Sequence, residues 1–132
     1  MLKINEVLTR AVDNVLPNKE GLASLMAKKK ITLYQGFDPS MPSLHLGNFV
    51  GLTKLRQFQK LGHKVIFLVG DFTGMIGDPT DKQATRKKLT REQVLENAKS
   101  WKKQASMLLD FDGPNAAEIK FNSKWNDMLT FR

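Results

Sequence analysis

Two short apolar runs flanking an amphipathic pattern constrain the fold of this chain more than any other feature of its sequence. The runs are ITLYQGF at 31–37 and KVIFLVG at 64–70, and both are rich in the β-branched and aromatic residues typical of strands. Between them, apolar residues recur at three- and four-residue steps from Phe49 to Leu61, and Gly62 stands where a C-terminal helix cap belongs. Strand, helix and strand with short connections predict parallel pairing with a right-handed crossover, and hence an α/β fold with a doubly wound parallel sheet.

Further periodic patterns lie on both sides of this unit. Thr90 and Gln93 have the form of a capping box and open a long helix. The predicted elements outside the central unit are helices at 4–16, 20–29 and 90–108, a third strand at 117–122 and the start of a helix at 123–131. We therefore expect an N-terminal helical segment, 1–30, followed by one α/β unit, 31–132.

The overall composition narrows the function classes. The chain has no cysteine and two histidines, which argues against a disulfide framework or a thiolate metal site and fits a cytoplasmic protein. There is no apolar run of membrane-spanning length, so no membrane association is expected. With 21 Lys and Arg against 13 Asp and Glu, the formal net charge is +8, which favours polyanionic partners such as nucleic acid or nucleotide phosphates.

The connection between the first strand and the helix concentrates turn-forming residues. Ligands of open parallel sheets bind beyond the carboxyl ends of the strands, where loops lead into helix N-termini. Pro39 and Pro42 stiffen this connection, while Gly36 and Gly47 allow another backbone or a ligand to approach closely. Backbone N–H groups and the helix dipole attract phosphate there, and His45 adds a further donor. The pattern indicates a nucleotide site, but a rigid connection in which His45 only caps the helix fits the same residues.

Two motifs carry a resemblance to a known family. GFDPSMPSLHLGN, 36–48, resembles the His-x-Gly-His signature of class I aminoacyl-tRNA synthetases, and VGDFTGMIGDPT, 69–80, closely resembles the bacterial-type tyrosyl-tRNA synthetases. The resemblance runs from about residue 31 to 132. It implies the N-terminal half of a Rossmann-like, nucleotide-binding catalytic domain. The second half of that domain, the anticodon-binding region and most of the expected homodimer interface are then missing.

One residue of the signature departs from the tyrosyl pattern. Asn48 replaces the final His, and HLGNFVG by itself looks like the tryptophanyl relatives. The Phe37-Asp38-Pro39-Ser40 stretch, the GMIGDPT loop and the TREQVLENAK helix are of the tyrosyl kind. A tyrosyl-type chain is therefore the favoured interpretation. An Asn amide can also present an N–H donor near the place of an imidazole nitrogen.

The resemblance implies ATP-dependent activation of L-tyrosine to tyrosyl-adenylate, followed by transfer to tRNA(Tyr). Such a reaction needs no protein nucleophile, because catalysis consists of positioning and of stabilising charge on phosphate oxygens. Mg²⁺ would accompany ATP without a protein metal site. The residues that would line the ATP site are Gly36, Asp38, Ser40, His45, Gly47 and Asn48.

Further roles follow from the same resemblance. Tyr34 would contact the substrate phenol, Asp78 the substrate ammonium, and Thr73 is an additional candidate for the tyrosine pocket. The implied catalytic residues are His45, which donates to the leaving phosphates, Asn48, and the cations Lys82 and Arg86, which clamp pyrophosphate from a loop at 77–88 expected to be mobile. Asp81 stands where a Gly is common and would oppose this clamp unless it points away. Asn122 and Trp125 match another element of the family, with Trp125 expected in the core.

Two other classes fit part of the pattern. A nucleotidylyltransferase would share the strand, the Asp-Pro and the His-x-Gly-His, but its Asp-Pro lies closer to the His than the seven positions between Asp38 and His45. A non-catalytic fragment that binds a nucleotide or RNA is the stronger alternative. Adenylate formation, as opposed to ATP binding alone, separates this alternative from a synthetase.

Overall fold

A computed structural model of the chain describes residues 2–76 and 88–130. In these residues, strands β1 (Thr32–Phe37), β2 (Lys64–Val69) and β3 (Glu118–Phe121) form one parallel sheet in the order β1-β2-β3. Tyr34 pairs with Ile66 in the register of β1 and β2, and Phe67 pairs with Ile119 in that of β2 and β3. The predicted α/β class, its parallel sheet and all three strands are confirmed.

The predicted helices occur in the predicted order, and those at both ends of the chain are shorter than predicted. One further short helix, Thr73–Ile76, was not predicted. The helices are α1 (Ile4–Val7), α2 (Lys19–Lys28), α3 (Leu46–Lys60), α4 (Thr73–Ile76), α5 (Arg91–Ala98), α6 (Trp101–Ala105) and α7 (Ser123–Asn126). The predicted cap residue Gly62 has a φ of +81°, which favours glycine and lets the chain leave α3 for β2.

The predicted helix over 4–16 is wrong beyond its first turn. Helix α1 ends at Val7, and Ala11 adopts a left-handed φ of +52°. The ammonium group of Lys54 donates to the carbonyl oxygens of Val7 and Arg10, at 2.8 Å in each case. A longer helix would use these two carbonyls as acceptors for its own N–H groups. A contact from α3 therefore replaces the helical hydrogen bonds that the apolar periodicity suggested.

The long helix predicted from Thr90 is divided into α5 and α6. Its capping box is confirmed, since the Gln93 N–H donates to the Thr90 hydroxyl (3.3 Å) and the Gln93 Oε1 accepts from the Thr90 N–H (2.9 Å). The break lies at 99–100, where the Ser100 hydroxyl donates to the carbonyl of Pro42 at 3.0 Å. This contact with a distant loop coincides with an interruption of the helix that local propensity did not predict.

The core lies on one face of the sheet around Phe67. Its ring stacks on Phe37 with the centroids 5.0 Å apart and meets the edges of Trp101 and Phe111 at 6.3 and 6.5 Å. On the other face, the alternation of the strands places Tyr34, whose side chain is 69% exposed. The sheet thus presents one face to the packed helices and an open face that bears Tyr34. No helix among the described residues is long and apolar enough to cross a membrane.

A buried histidine makes stability depend on pH. His63 is 1% exposed, its Nδ1 accepts from the Ile31 N–H at 3.3 Å, and burial, with a smaller contribution from Lys30, lowers its pKa below the ordinary value of 6.5. The unfolded chain therefore takes up a proton first as the pH falls below 6.5. We expect the free energy of unfolding to be largest above this pH and to fall below it, by at most about 1.4 kcal/mol per pH unit for one proton.

Urea unfolding at a series of pH values between about 7.5 and 5 measures this dependence. The matched variant is His63→Asn, which can still accept from the Ile31 N–H. It should lose most of the slope in this range. A variant with the same slope as the original chain would show that other groups control the pH dependence.

Candidate active site

Side chains from three consecutive connections meet beyond the carboxyl ends of the strands. The Thr73 hydroxyl, after β2, donates to Asp38 Oδ1, after β1, at 2.5 Å. Asn122, after β3, donates from Nδ2 to Thr73 Oγ1 at 3.0 Å and accepts the Phe72 N–H on Oδ1 at 2.9 Å. This hydrogen-bonded chain, Asn122 to Thr73 to Asp38, is called the strand-end network below. Among the described residues, the second carboxylate oxygen of Asp38 accepts no side-chain hydrogen bond and is able to accept from a ligand.

A glycine makes room for the strand-end network. A Cβ added to Gly70 would lie 2.5 Å from Thr73 Oγ1 and closer still to Asp38 Oδ1, well inside the 3.0 Å that real Cβ atoms keep. Gly36 differs, since the nearest atom to its added Cβ is Leu68 Cδ2 at 3.8 Å. A side chain is therefore least tolerable at Gly70, which sequence reasoning did not single out. An added Cβ at Gly47 would also be crowded, 3.0 Å from His45 Cε1, whereas the predicted close approach at Gly36 has no such crowding.

His45 is the N-cap residue of α3. Its Nδ1 accepts the Gly47 N–H at 3.1 Å, and Asn48 Oδ1 accepts the His45 N–H at 3.0 Å, which together form a capping box. Because Nδ1 is the acceptor, the neutral imidazole carries its hydrogen on Nε2. Capping and phosphate donation were alternatives for His45 in the sequence. The structure places the capping role on one ring nitrogen and leaves the other as a donor on an exposed side chain.

Of the remaining candidate residues, Ser40 and Tyr34 lie in the described part of the chain and the others do not. Ser40 is exposed, and its N–H donates to the carbonyl of Asp38 at 2.8 Å, so that the turn joins the strand-end network to the loop before α3. Tyr34 lies on the open face of β1 and makes no hydrogen bond through its hydroxyl to another described residue. Asp78, Asp81, Lys82 and Arg86 lie outside the described residues, and so does most of the predicted 77–88 loop.

Some contacts of the site were missed by sequence reasoning. Asp71 is buried directly after β2 and accepts the Ser123 N–H at 3.0 Å, which fixes the start of α7. In the sequence, its place in a Gly-Asp pair at the end of a predicted strand was the signal that could have indicated this role. The expected core position of Trp125 is wrong, because the side chain is 46% exposed. Asn122 of the same motif is the residue that turns inward, at 7% exposure.

An ion pair joins two elements near this end of the sheet. The Arg91 guanidinium donates to both carboxylate oxygens of Asp127, at 2.7 and 2.5 Å. The hydrogen bond from Arg91 lowers the pKa of the Asp127 carboxyl, while the Arg91 pKa is raised. The first turn of α5 is thereby held next to the end of α7. Both side chains are partly exposed, so the contribution to stability is small.

Comparison with protein families identifies the family of this chain. The model of the family described as tRNA synthetases class I (W and Y) matches residues 26–131. This match covers most of the chain, and the chain belongs to that family.

Similar curated relatives are tyrosine–tRNA ligases. One from Colwellia psychrerythraea is 52% identical over 122 residues, which cover 92% of this chain and 30% of the relative. One from Idiomarina loihiensis is 52% identical over 118 residues, which cover 89% and 29%. The predicted resemblance to tyrosyl-tRNA synthetases is confirmed by these relatives. The chain spans about 30% of their length.

Solved structures agree on the fold. A C-terminally truncated mitochondrial tyrosyl-tRNA synthetase from Aspergillus nidulans matches 98% of this chain and 40% of its own, with a TM-score of 0.81 at 22% identity. A tyrosyl-tRNA synthetase from Archaeoglobus fulgidus, solved in complex with L-tyrosine, matches 95% and 35% with a TM-score of 0.74 at 24% identity. At these identities the similarity establishes a shared fold for nearly all of the chain.

Proposed function

We propose that this chain binds ATP at the turn between β1 and α3, binds L-tyrosine along the open face near Tyr34, and joins them as tyrosyl-adenylate. The observation that carries the proposal is the N-terminus of α3. There His45 keeps Nε2 as a donor while Nδ1 caps the helix. A fixed donor at the positive end of a helix suits the phosphates of a nucleotide.

In this reaction the tyrosine carboxylate oxygen attacks the α-phosphorus of ATP, and the bond from that phosphorus to the bridging oxygen of pyrophosphate breaks. Negative charge grows on the leaving phosphates, where a donor held in place before the reaction lowers the barrier. His45 Nε2 would supply this donor. Lys82 and Arg86 remain predicted partners of the pyrophosphate, and Asp78 a predicted partner of the substrate ammonium.

The strand-end network supports a role for Asp38 and Thr73 next to the substrates. Both are near the carboxyl ends of the strands, where ligands of parallel sheets bind. The Thr73 hydroxyl already donates to Asp38 and accepts from Asn122. Thr73 is therefore oriented from both sides, and we expect it to shape the pocket by fixing the Asp38 carboxylate. ATP-site roles for Gly36, Ser40, Gly47 and Asn48 belong to the same proposal.

Transfer of tyrosine to tRNA(Tyr) is the second part of the proposal and is supported by the relatives that carry the tyrosine–tRNA ligase name. The net charge of +8 suits a polyanionic partner. Mg²⁺ would arrive with ATP. The homodimer and the cytoplasmic location stay predictions.

Tyrosine-dependent ATP–pyrophosphate exchange by the purified chain tests the proposed function, with active-site titration to exclude a trace of contaminating enzyme. We expect exchange that depends on tyrosine. Binding of ATP without exchange would instead favour the non-catalytic nucleotide-binding alternative. Phenylalanine serves as the second substrate in the same assay, because Tyr34 is the one predicted partner of the substrate phenol in this chain. A complete phenol-binding site activates tyrosine much faster than phenylalanine. If the pocket is incomplete in this chain, the two activation rates should be closer to each other.

A further inference from the structure

One polar face of α5 and α6 holds the loop that leads to His45. Asn97 Nδ2 donates to the carbonyl of Pro39 at 2.9 Å. Gln104 Nε2 donates to the carbonyl of Pro42 at 2.9 Å, and Gln104 Oε1 accepts the Leu44 N–H at 2.8 Å. These contacts link residues about 60 positions apart in the sequence. They form a side-chain clamp on the 39–44 backbone.

The loop needs these partners because it has no regular secondary structure to pair its backbone groups. Pro39 and Pro42 have no N–H, so each of these residues has only its carbonyl oxygen to pair. The Ser100 hydroxyl also donates to the carbonyl of Pro42, at 3.0 Å, and accepts from Gln104 Nε2 at 2.8 Å. The Gln104 amide is used at both ends, which fixes its orientation. The Pro42 carbonyl has two donors, whereas the Leu44 N–H is held by Gln104 Oε1.

The Leu44 contact lies one residue before His45. A change in the backbone at Leu44 alters the entry of the chain into α3 and hence the direction of the His45 ring. The cap bond to the Gly47 N–H fixes the ring only relative to α3. The side-chain clamp fixes the 39–44 backbone relative to α6.

We propose that Gln104 is a positioning residue for His45, which it orients through the Leu44 peptide. Gln104 touches the loop and not the substrates. The inference rests on the proposed function in one respect, namely that a well-oriented His45 Nε2 speeds adenylate formation. Its structural part, the dependence of Leu44 and His45 on Gln104, can be measured without activity.

The test replaces Gln104 by Met, which has a similar length and lacks both hydrogen-bonding groups. We expect Gln104→Met to lower kcat of the exchange reaction roughly 10- to 100-fold, the loss typical of a small misplacement of a reacting group. KM for tyrosine should change less than about twofold, since the clamp lies on the ATP side of the site. By hydrogen–deuterium exchange, the Leu44 amide should lose at least about tenfold protection, and the NMR signals of the His45 ring should shift or broaden.

Two further variants separate positioning from general loosening of the fold. Gln104→Glu keeps an oxygen that can accept the Leu44 N–H, but its second oxygen cannot donate to the Pro42 carbonyl as Nε2 does. Part of the Leu44 protection should therefore return, and kcat should recover with it if the Leu44 peptide orients His45. Lys103→Met introduces the same side chain at the neighbouring exposed position and should leave both unchanged. Thermal unfolding of all three variants reports whether the fold itself is weakened.

Each outcome decides one claim. Unchanged Leu44 protection in Gln104→Met overturns the clamp. Lost protection with unmoved His45 signals, or with an unchanged kcat in an active chain, overturns the positioning role. A chain without any exchange activity overturns the proposed function, and the Leu44 and His45 measurements then decide the clamp alone.

Discussion

Replacing His45 by Asn should reduce the rate of tyrosyl-adenylate formation by about 10²- to 10³-fold, the usual loss for a transition-state donor. Asn is a preferred N-cap residue, so His45→Asn retains an acceptor for the N–H groups at the start of α3. It removes the ring nitrogen that reaches beyond the cap. The affinity for ATP in the ground state should fall much less than the rate, because the leaving phosphates gain charge as the bond breaks. Exchange kinetics and ATP titration of the same preparation measure both quantities.

His45→Ala is the matched comparison. It removes the cap as well as the donor, so it should lose the same rate and also about 1 kcal/mol of stability. Equal stability of the original chain and His45→Asn, together with a lower stability of His45→Ala, would establish the capping role independently of activity. A His45→Asn variant that exchanges at the original rate would reduce His45 to a helix cap.

Gly70→Ala should be the most destabilising single methyl addition at the site. The new Cβ would overlap Asp38 Oδ1 and crowd Thr73 Oγ1, both already engaged in the strand-end network. Overpacking and a broken hydrogen bond together predict a loss of about 2–4 kcal/mol in the free energy of unfolding. The control Gly36→Ala adds the same methyl group 3.8 Å from the nearest atom and should change stability by less than about 1 kcal/mol. Urea unfolding measures both variants.

A double variant tests the cause of that loss. Asp38→Ala removes the carboxylate that the new methyl group meets most closely. Gly70→Ala combined with Asp38→Ala should therefore lose less stability than the sum of the two single variants, which is the sign of a shared contact. Additive losses would place the strain of Gly70→Ala in the backbone and not in its contact with Asp38.

The elements that the sequence predicted well are those whose cause is local. The strand at 64–70 and the helix before Gly62 follow from short-range periodicity, and the Thr90 capping box from a four-residue pattern. The predicted helix over 4–16 is wrong beyond its first turn, where Lys54, more than 40 positions away, donates to the carbonyls of Val7 and Arg10. The break at Ser100 likewise coincides with a contact to Pro42. Both errors arise where a long-range side-chain contact outweighs helix propensity.

The candidate site shows the same division. His45 and Asn48 could be placed at a helix N-terminus from their motif, and Thr73 could be assigned to the turn after the second strand. The need for glycine at position 70 could not be seen, because it depends on Asp38 arriving from another strand. The roles of Asn97, Ser100 and Gln104 could not be predicted, because only the folded chain brings the 39–44 backbone next to them.

The strand-end network also sets an order of events during protein synthesis. Asn122 donates to Thr73 from 49 residues further along the chain, and the Asp38 contact depends on that same hydroxyl. When β1, α3 and β2 have emerged from the ribosome, Asn122 has not yet emerged. Thr73 then lacks the residue that orients it from one side. Ligands that contact the Asp38 carboxylate should consequently bind more tightly once Asn122 has emerged and β3 has paired with β2.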